Sequence, residues 1–268
     1  MWIDTHCHLD ASEFQGASLD VAQAASAKAV SGIVIPAVHP SNFAIVAELA
    51  RQRSDCFYAL GIHPMYVPTA HEKDLLMLRS AVEQIMSAPA NAGRFVAIGE
   101  IGLDFFVPEL TQAPLREKQE FFYSEQLKLA RDFNLPVLLH VRRSQDTILK
   151  YLRRIKVPGG IAHAFNGSEQ QAQTFINLGF KLGFGGAMTY TRALQIRRLA
   201  TQLPLSAIVL ETDAPDIAPS WLHPAINSPA ELPQIGAVLA ELRGMSIEAV
   251  AEQTSANAFE VLPRMRVA

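Results

Sequence analysis

The chain is poor in cysteine, in charge and in uninterrupted apolar runs, and each shortage excludes a class of protein. Two cysteines in 268 residues, Cys7 and Cys56, cannot build a disulfide framework, which fits a reducing compartment. Charged residues make up 18% of the chain, below the common fraction of about a quarter. The 23 basic and 26 acidic residues leave a formal charge of −3, so no basic surface announces long tracking along nucleic acid. No apolar segment approaches the roughly 20 residues that span a bilayer. The opening Met1-Trp2-Ile3-Asp4 lacks a basic stretch leading into an apolar run, so no secretory leader is read. Hydrophobic residues, at 49%, are abundant enough for a large core and exclude wholesale disorder. The expectation is a cytoplasmic globular protein.

Short runs rich in β-branched and aromatic residues alternate with longer segments of helical period. Strands are expected at 2–5, 32–38, 57–61, 95–99, 137–140, 160–164, 181–185 and 208–212. Helices are expected between them near 19–30, 42–52, 72–86, 114–133, 145–154, 169–178 and 192–202. A proline-rich loop over 214–233 and two further helices, near 232–243 and 246–262, follow the last strand, with Ser246 placed as a cap. Eight strands alternating with helices is the count of a (β/α)8 TIM barrel, an α/β fold that uses about 250 residues for one domain. The strands are apolar throughout rather than alternating, as a helix-covered parallel sheet requires. A doubly wound sheet would carry an early glycine-rich phosphate turn, and none follows the first strand. The Gly183-Phe184-Gly185-Gly186 cluster ends a late strand and reads as close backbone packing. No linker or repeat divides the chain, so a single domain over 1–268 with extra C-terminal helices is expected.

The polar residues at the strand ends carry the chemistry. The first strand runs into His6-Cys7-His8; residues two apart in extended backbone share a side, so both imidazoles can grip one ion. Glu100 follows the fourth strand, His140 ends the fifth, His163 lies near the end of the sixth, and Asp213 follows the eighth. In a barrel these ends open on one C-terminal mouth, where active sites of the fold are built. Four imidazoles and two carboxylates suit divalent cations. His6, His8 and Asp213 are assigned to one ion and His140 and His163 to a second, with Glu100 bridging, an arrangement that activates water and holds a leaving oxygen. Burying these groups merely to hydrogen-bond one another would be costly.

The chain resembles the TatD-related deoxyribonuclease family of metal-dependent hydrolases. The matching stretches are Asp4-Thr5-His6-Cys7-His8-Leu9-Asp10, Gly61-Ile62-His63-Pro64 and Gly99-Glu100-Ile101-Gly102-Leu103-Asp104. Leu135 to Arg142, His163 to Ser168 and Leu210 to Pro215 match as well, in family order. The resemblance implies a metal-dependent barrel, the same ligand set, and hydrolysis of DNA phosphodiesters, often from the 3′ end. It also implies two divalent ions, magnesium or manganese, with zinc a further candidate. Four positions depart from the family pattern: Arg143 where an acidic residue is common, Ala164 and Asn166 where Cys and Thr are usual, and Met65 where a further His is common. None removes a presumed ligand.

Asp213 is expected to orient the water nucleophile and take its proton, with Glu100 the second catalytic carboxylate. Arg142, two beyond His140, is the natural phosphate contact, since a guanidinium bonds phosphate oxygens in pairs. Arg143 is expected to point away into solvent. His63 is expected to face substrate or to support a ligand from behind, and His39 carries the same two readings against a structural one. Asp10 and Asp104 are placed to orient ligands or their loops, and Glu211 to support the barrel interior without chemistry. Trp221, on the long loop, is a candidate for base stacking, although loop tryptophans more often only pack. Cys7 is expected buried and inert. The competing activity is hydrolysis of an acyl bond in an ester, lactone or aminoacyl-tRNA. A silent metal-binding module is the third alternative. DNA or a short oligonucleotide is the expected partner, with no membrane and no obligate protein partner.

Overall fold

The computed structural model describes residues 1–88 and 94–265. Eight parallel strands follow the apolar runs: β1 Trp2–Asp4, β2 Val30–Pro36, β3 Cys56–Leu60, β4 Phe95–Asp104, β5 Val137–Arg142, β6 Gly160–Ala162, β7 Phe180–Phe184 and β8 Ile208–Leu210. They pair in sequence order from β1 to β8. The helices are α1 Ser18–Ala27, α2 Phe43–Gln52, α3 Glu72–Ser87, α4 Leu115–Asp132, α5 Gln145–Arg154, α6 Glu169–Asn177, α7 Leu194–Gln202, α8 Leu232–Arg243 and α9 Ile247–Val261. The Ser246 hydroxyl accepts from the Ala249 N–H at 3.2 Å, capping α9 as expected. Between β8 and β1 the closure is made just past the strand ends. The Thr5 N–H donates to the Leu210 carbonyl at 3.1 Å and the Asp213 N–H to that of His6 at 2.8 Å. The result is the expected TIM barrel.

Two faces of each strand serve two cores. Ile3, Val34, Phe57, Val96, Leu138, Ile161 and Val209 pack together with Ala258, Val261, Leu262 and Met265. Their strand neighbours Ile33, Ile35, Phe95, Leu139 and Leu210 belong to the larger core shared with the surrounding helices. Strand period two therefore separates a barrel interior from a helix-facing layer. Helix α9 and the residues after it close the end where strands begin: Asn257 donates to the Ile208 carbonyl, and the Met265 side chain lies where a Cβ on Gly32 would stand. Continuing the inward alternation from Leu138, Ile161 and Val209 leads to His140, His163, Glu211 and Asp213, so the opposite end is polar.

The fourth strand runs five residues past its expected end. Its register with β5 shifts between Ile98 and Ile101 and resumes at Ile101 opposite Leu139, so Glu100 lies within the strand at the irregularity rather than after it. Gly183 accounts for a second feature of the interior. A Cβ there would stand 2.1 Å from Glu211 Oε2 and 2.5 Å from its Cδ, so only glycine lets this carboxylate lie inside the barrel. Gly183→Ala is expected to lower stability by about 1–3 kcal/mol through overpacking, read as a shift of the urea midpoint. Much of the loss should return in Gly183→Ala/Glu211→Ala; an alanine variant with unchanged midpoint would refute the fit.

Candidate metal centre

Glu100 is the hub of the mouth. Its Oε2 lies 3.1 Å from His6 Nε2 and 3.4 Å from His8 Nε2. Its other oxygen, Oε1, lies 3.0 Å from His140 Nδ1, 3.0 Å from His163 Nε2 and 3.3 Å from His63 Nε2. One buried carboxylate thus faces two separate sets of imidazoles. Asp213 Oδ1 stands 3.7 Å from both His6 and His8 on the Oε2 side. Its backbone is left-handed, with φ 57°, and is pinned by the bond from its N–H to the His6 carbonyl.

Three overlapping groups place their ligand atoms within 4.8 Å of one another: His6, His8 and Glu100; His6, His163 and Asp213; and His63, Glu100 and His140. All six residues expected as ligands are gathered here. The groups overlap across the expected division: Asp213 lies near His6 and His163 as well as His8, and His63 stands beside His140 with 3.0 Å between their facing nitrogens. The donor set, imidazole and carboxylate with no thiolate, fits a divalent cation of borderline to hard character.

Protonation states support the same reading of the donors. Burial holds His6 down at about 3 and His63 down at about 4, so both are neutral donors at neutral pH. Burial also opposes charge on His8 and His163, yet the Glu100 carboxylate outweighs it, lifting His8 to about 9 and His163 to about 10. Glu100 itself is held well below the carboxylate range despite burial, by the imidazoles around it. Burial raises Asp213. Without a cation, the mouth retains protons in places where a cation would compete with them.

Groups behind the donors fix their orientation. Asp104 Oδ2 lies 3.0 Å from His140 Nε2, which turns Nδ1 toward Glu100, and Asp104 Oδ1 accepts from the N–H groups of Phe106 and Val107. Glu211 accepts from the Ala164 N–H and stands 3.8 Å from His163 Nδ1, and burial pushes its carboxyl up to about 8. Two residues of α4, not singled out from the sequence, brace the loops. Gln126 accepts from the Ile62 N–H at 2.7 Å and donates to the Ile62 carbonyl at 3.1 Å, holding the residue next to His63. Gln119 does the same for Asp104, accepting from its N–H at 3.0 Å. Both are fully buried among apolar side chains, and a seven-residue spacing of glutamines on the α4 core face was the available signal.

The remaining candidates fall into place or leave the site. His39 bonds Ser41 and stacks near Tyr66, capping a short turn, while Asp10 accepts from Asn42. The Trp221 indole N–H donates to Glu231 at 2.7 Å, tying the long loop to the start of α8. Cys7 is buried, and its thiol is pushed well above the ordinary range by burial. Arg142 Nη1 reaches Asp104 at 3.8 Å, on the His140 side as expected. Arg143 departs from expectation. The strand ends at Arg142 and Arg143 has φ 54°, so strict alternation stops; Arg143 is exposed as expected, but its guanidinium lies over the Phe106 ring beside Arg142 rather than pointing away from it.

Comparison with known proteins agrees with this architecture. The family model described as TatD related DNase matches residues 3–263. The metal-dependent hydrolase YjjV of Escherichia coli K12 is 39% identical over 259 residues, covering 96% of each chain. The human deoxyribonuclease TATDN3 is 29% identical over 265 residues, covering 98% of this chain and 95% of that protein. The crystal structure of YjjV superposes with a TM-score of 0.90 at 38% identity, covering 98% of both chains.

Proposed function

The chain belongs to the TatD-related DNase family of metal-dependent hydrolases, and from that footing we propose that it is a two-metal phosphodiesterase that shortens DNA or short oligonucleotides from the 3′ end. The observation that carries this reading is the buried Glu100, whose two oxygens face two different sets of imidazole nitrogens. His6 and His8 with Glu100 would hold one cation, and His140 and His163 with Glu100 would hold the other. Asp213, set against His6 and His8, completes the first set, positions water and accepts its proton. Magnesium or manganese, with zinc as a further candidate, would supply electrostatic stabilisation of anionic phosphate oxygens and make water a stronger acid. His63 stands at the edge of the second set and lines the approach to it. Arg142 binds a phosphate oxygen, and Asp104 holds His140 in the tautomer that presents Nδ1. The name of the human relative, a deoxyribonuclease, supports the choice of substrate. Free, buried Cys7 and Cys56 support a cytoplasmic setting, and no helix among the described residues is long and apolar enough to cross a membrane.

The test is digestion of single-stranded oligonucleotides labelled at the 3′ or the 5′ end, with added Mg²⁺ or Mn²⁺ and with a chelator. Metal-dependent loss of 3′ nucleotides is expected. Undiminished digestion after thorough chelation contradicts the metal mechanism. No digestion by protein verified to hold metal, together with turnover of an aryl acetate, moves the activity to an acyl bond.

A further inference from the structure

Beside the centre, two arginines share one aromatic ring. The guanidinium carbon of Arg142 lies 3.9 Å from the centroid of Phe106, and that of Arg143 lies 4.7 Å from it. Phe106 is 45% exposed although it is a large hydrophobe, and both arginines are exposed. Among the described residues the carboxylate paired with Arg142 is Asp104, whose Oδ2 is 3.8 Å from Arg142 but only 3.0 Å from His140, so its charge is already engaged. Among the described residues no ion pair joins Arg143 to a carboxylate. Exposed arginines usually stand free in water. Here they are held together: stacking on a ring fixes a guanidinium plane while leaving its N–H edge free to donate. The left-handed backbone of Arg143 brings its side chain onto the same ring as its neighbour. Two cations held this way, without their own anions, form an anion site.

We propose that Arg142, Arg143 and Phe106 form a subsite for a second phosphate of the substrate, one nucleotide away from the phosphate at the metal centre. The placement follows from a short chain of contacts: Glu100 to His140, His140 to Asp104, Asp104 to Arg142, and Arg142 to Phe106 and Arg143. Phe106 offers the exposed face on which the intervening base or sugar can lie. The subsite makes the protein prefer strands over isolated phosphodiesters, and it supplies locally the positive charge that the whole chain, at −3, lacks. This inference rests on the nuclease reading but is tested apart from it.

The experiment compares binding of thymidine 3′,5′-bisphosphate with that of thymidine 3′- and 5′-monophosphate to the metal-loaded protein by calorimetry. These compounds resemble products, and the bisphosphate is indifferent to strand polarity. The bisphosphate is expected to bind about tenfold tighter or more than either monophosphate, the scale of one charge-assisted anion contact. The preference should fall to within about threefold in Arg143→Ala, be partly kept in Arg143→Lys, and be retained in Arg153→Ala, which removes the same charge on exposed α5 surface. Equal binding of bisphosphate and monophosphates by the unaltered protein overturns the subsite, as does a preference untouched in Arg143→Ala. Turnover of bis(p-nitrophenyl) phosphate is measured in parallel. Its absence, with the bisphosphate preference intact, would sink the phosphodiesterase reading and leave the anion subsite standing.

Discussion

Glu100→Ala is expected to reduce both metal content and activity, with phosphodiester turnover falling at least about a thousandfold. The size follows from the proposed mechanism, in which the substitution would remove in one step a ligand shared by two cations that both serve the charged transition state. Each oxygen of Glu100 meets a different set of imidazoles: Oε2 is within 3.4 Å of His6 and His8, and Oε1 within 3.3 Å of His63, His140 and His163. Metal content by atomic emission, after dialysis against limiting metal, should drop for both ions together. Far-UV circular dichroism should not change, because the barrel cores lie below the mouth and the freed histidines can shed their protons. Glu100→Gln keeps the shape but only one carbonyl oxygen, and should lose less metal than the alanine variant. A Glu100→Ala protein with full metal content and rate would show that Glu100 is only a hydrogen-bonding partner of the histidines.

Much of this site was legible because its residues end apolar runs. The β5 run Val137 to Leu139 delivers His140, and the His6-Cys7-His8 alternation needs no tertiary knowledge to place two rings on one side. The expected bounds of α5 and α8 are the observed ones for the same reason, namely a clear stripe between turn residues. The end of β4 was not legible. Gly99, Glu100 and Gly102 read as a strand terminus, yet the ladder with β5 resumes beyond them through Ile101 and Leu103. Pairing with a neighbour, not local propensity, decides that length.

Other features depend on contacts far apart in sequence. Gln126 meets Ile62 only after α4 packs across β3 and β4, and the Glu211 carboxylate enters the barrel only because residue 183 on the neighbouring strand lacks a side chain. Arg143 was misjudged for a local reason. Alternation was extended one residue beyond the strand, and a left-handed residue there reverses the direction of the side chain. Spacing grouped His6 with His8 and His140 with His163, but which oxygen of Glu100 each ring faces depends on the folded barrel.

The stability of the metal-free protein and the increment that metal adds to it should respond to pH in opposite directions between about pH 6.5 and 9. In the metal-free protein, His8 at about 9 and His163 at about 10 bind protons more tightly than in the unfolded chain. Their stabilisation is complete below the unfolded value and is lost as pH rises through the folded ones. Glu211, raised to about 8 by burial, acts in the same sense, because the folded state must give up a favoured proton. Asp4, raised by burial to about 7, adds to the early part of the window. His6 and His63, depressed to about 3 and 4, are neutral in the folded state throughout, and the unfolded chain sheds its last protons from them at the start of the window, so they offset the trend only there. Each linked proton is worth about 1 kcal/mol per pH unit where it titrates. The melting temperature of chelated protein should therefore fall by several degrees across the window. On the proposed ligand set a cation would take the places of the same protons on His8 and His163, so its binding would release them and strengthen as pH rises. The metal-induced rise in melting temperature at fixed total metal should accordingly grow over the interval in which the metal-free value falls. Scanning calorimetry at four pH values, with chelator and with Mn²⁺, checks both limbs. A metal increment that stays flat with pH would mean that His8 and His163 are not displaced by the cation, and the assignment of these two rings as ligands would fail with it.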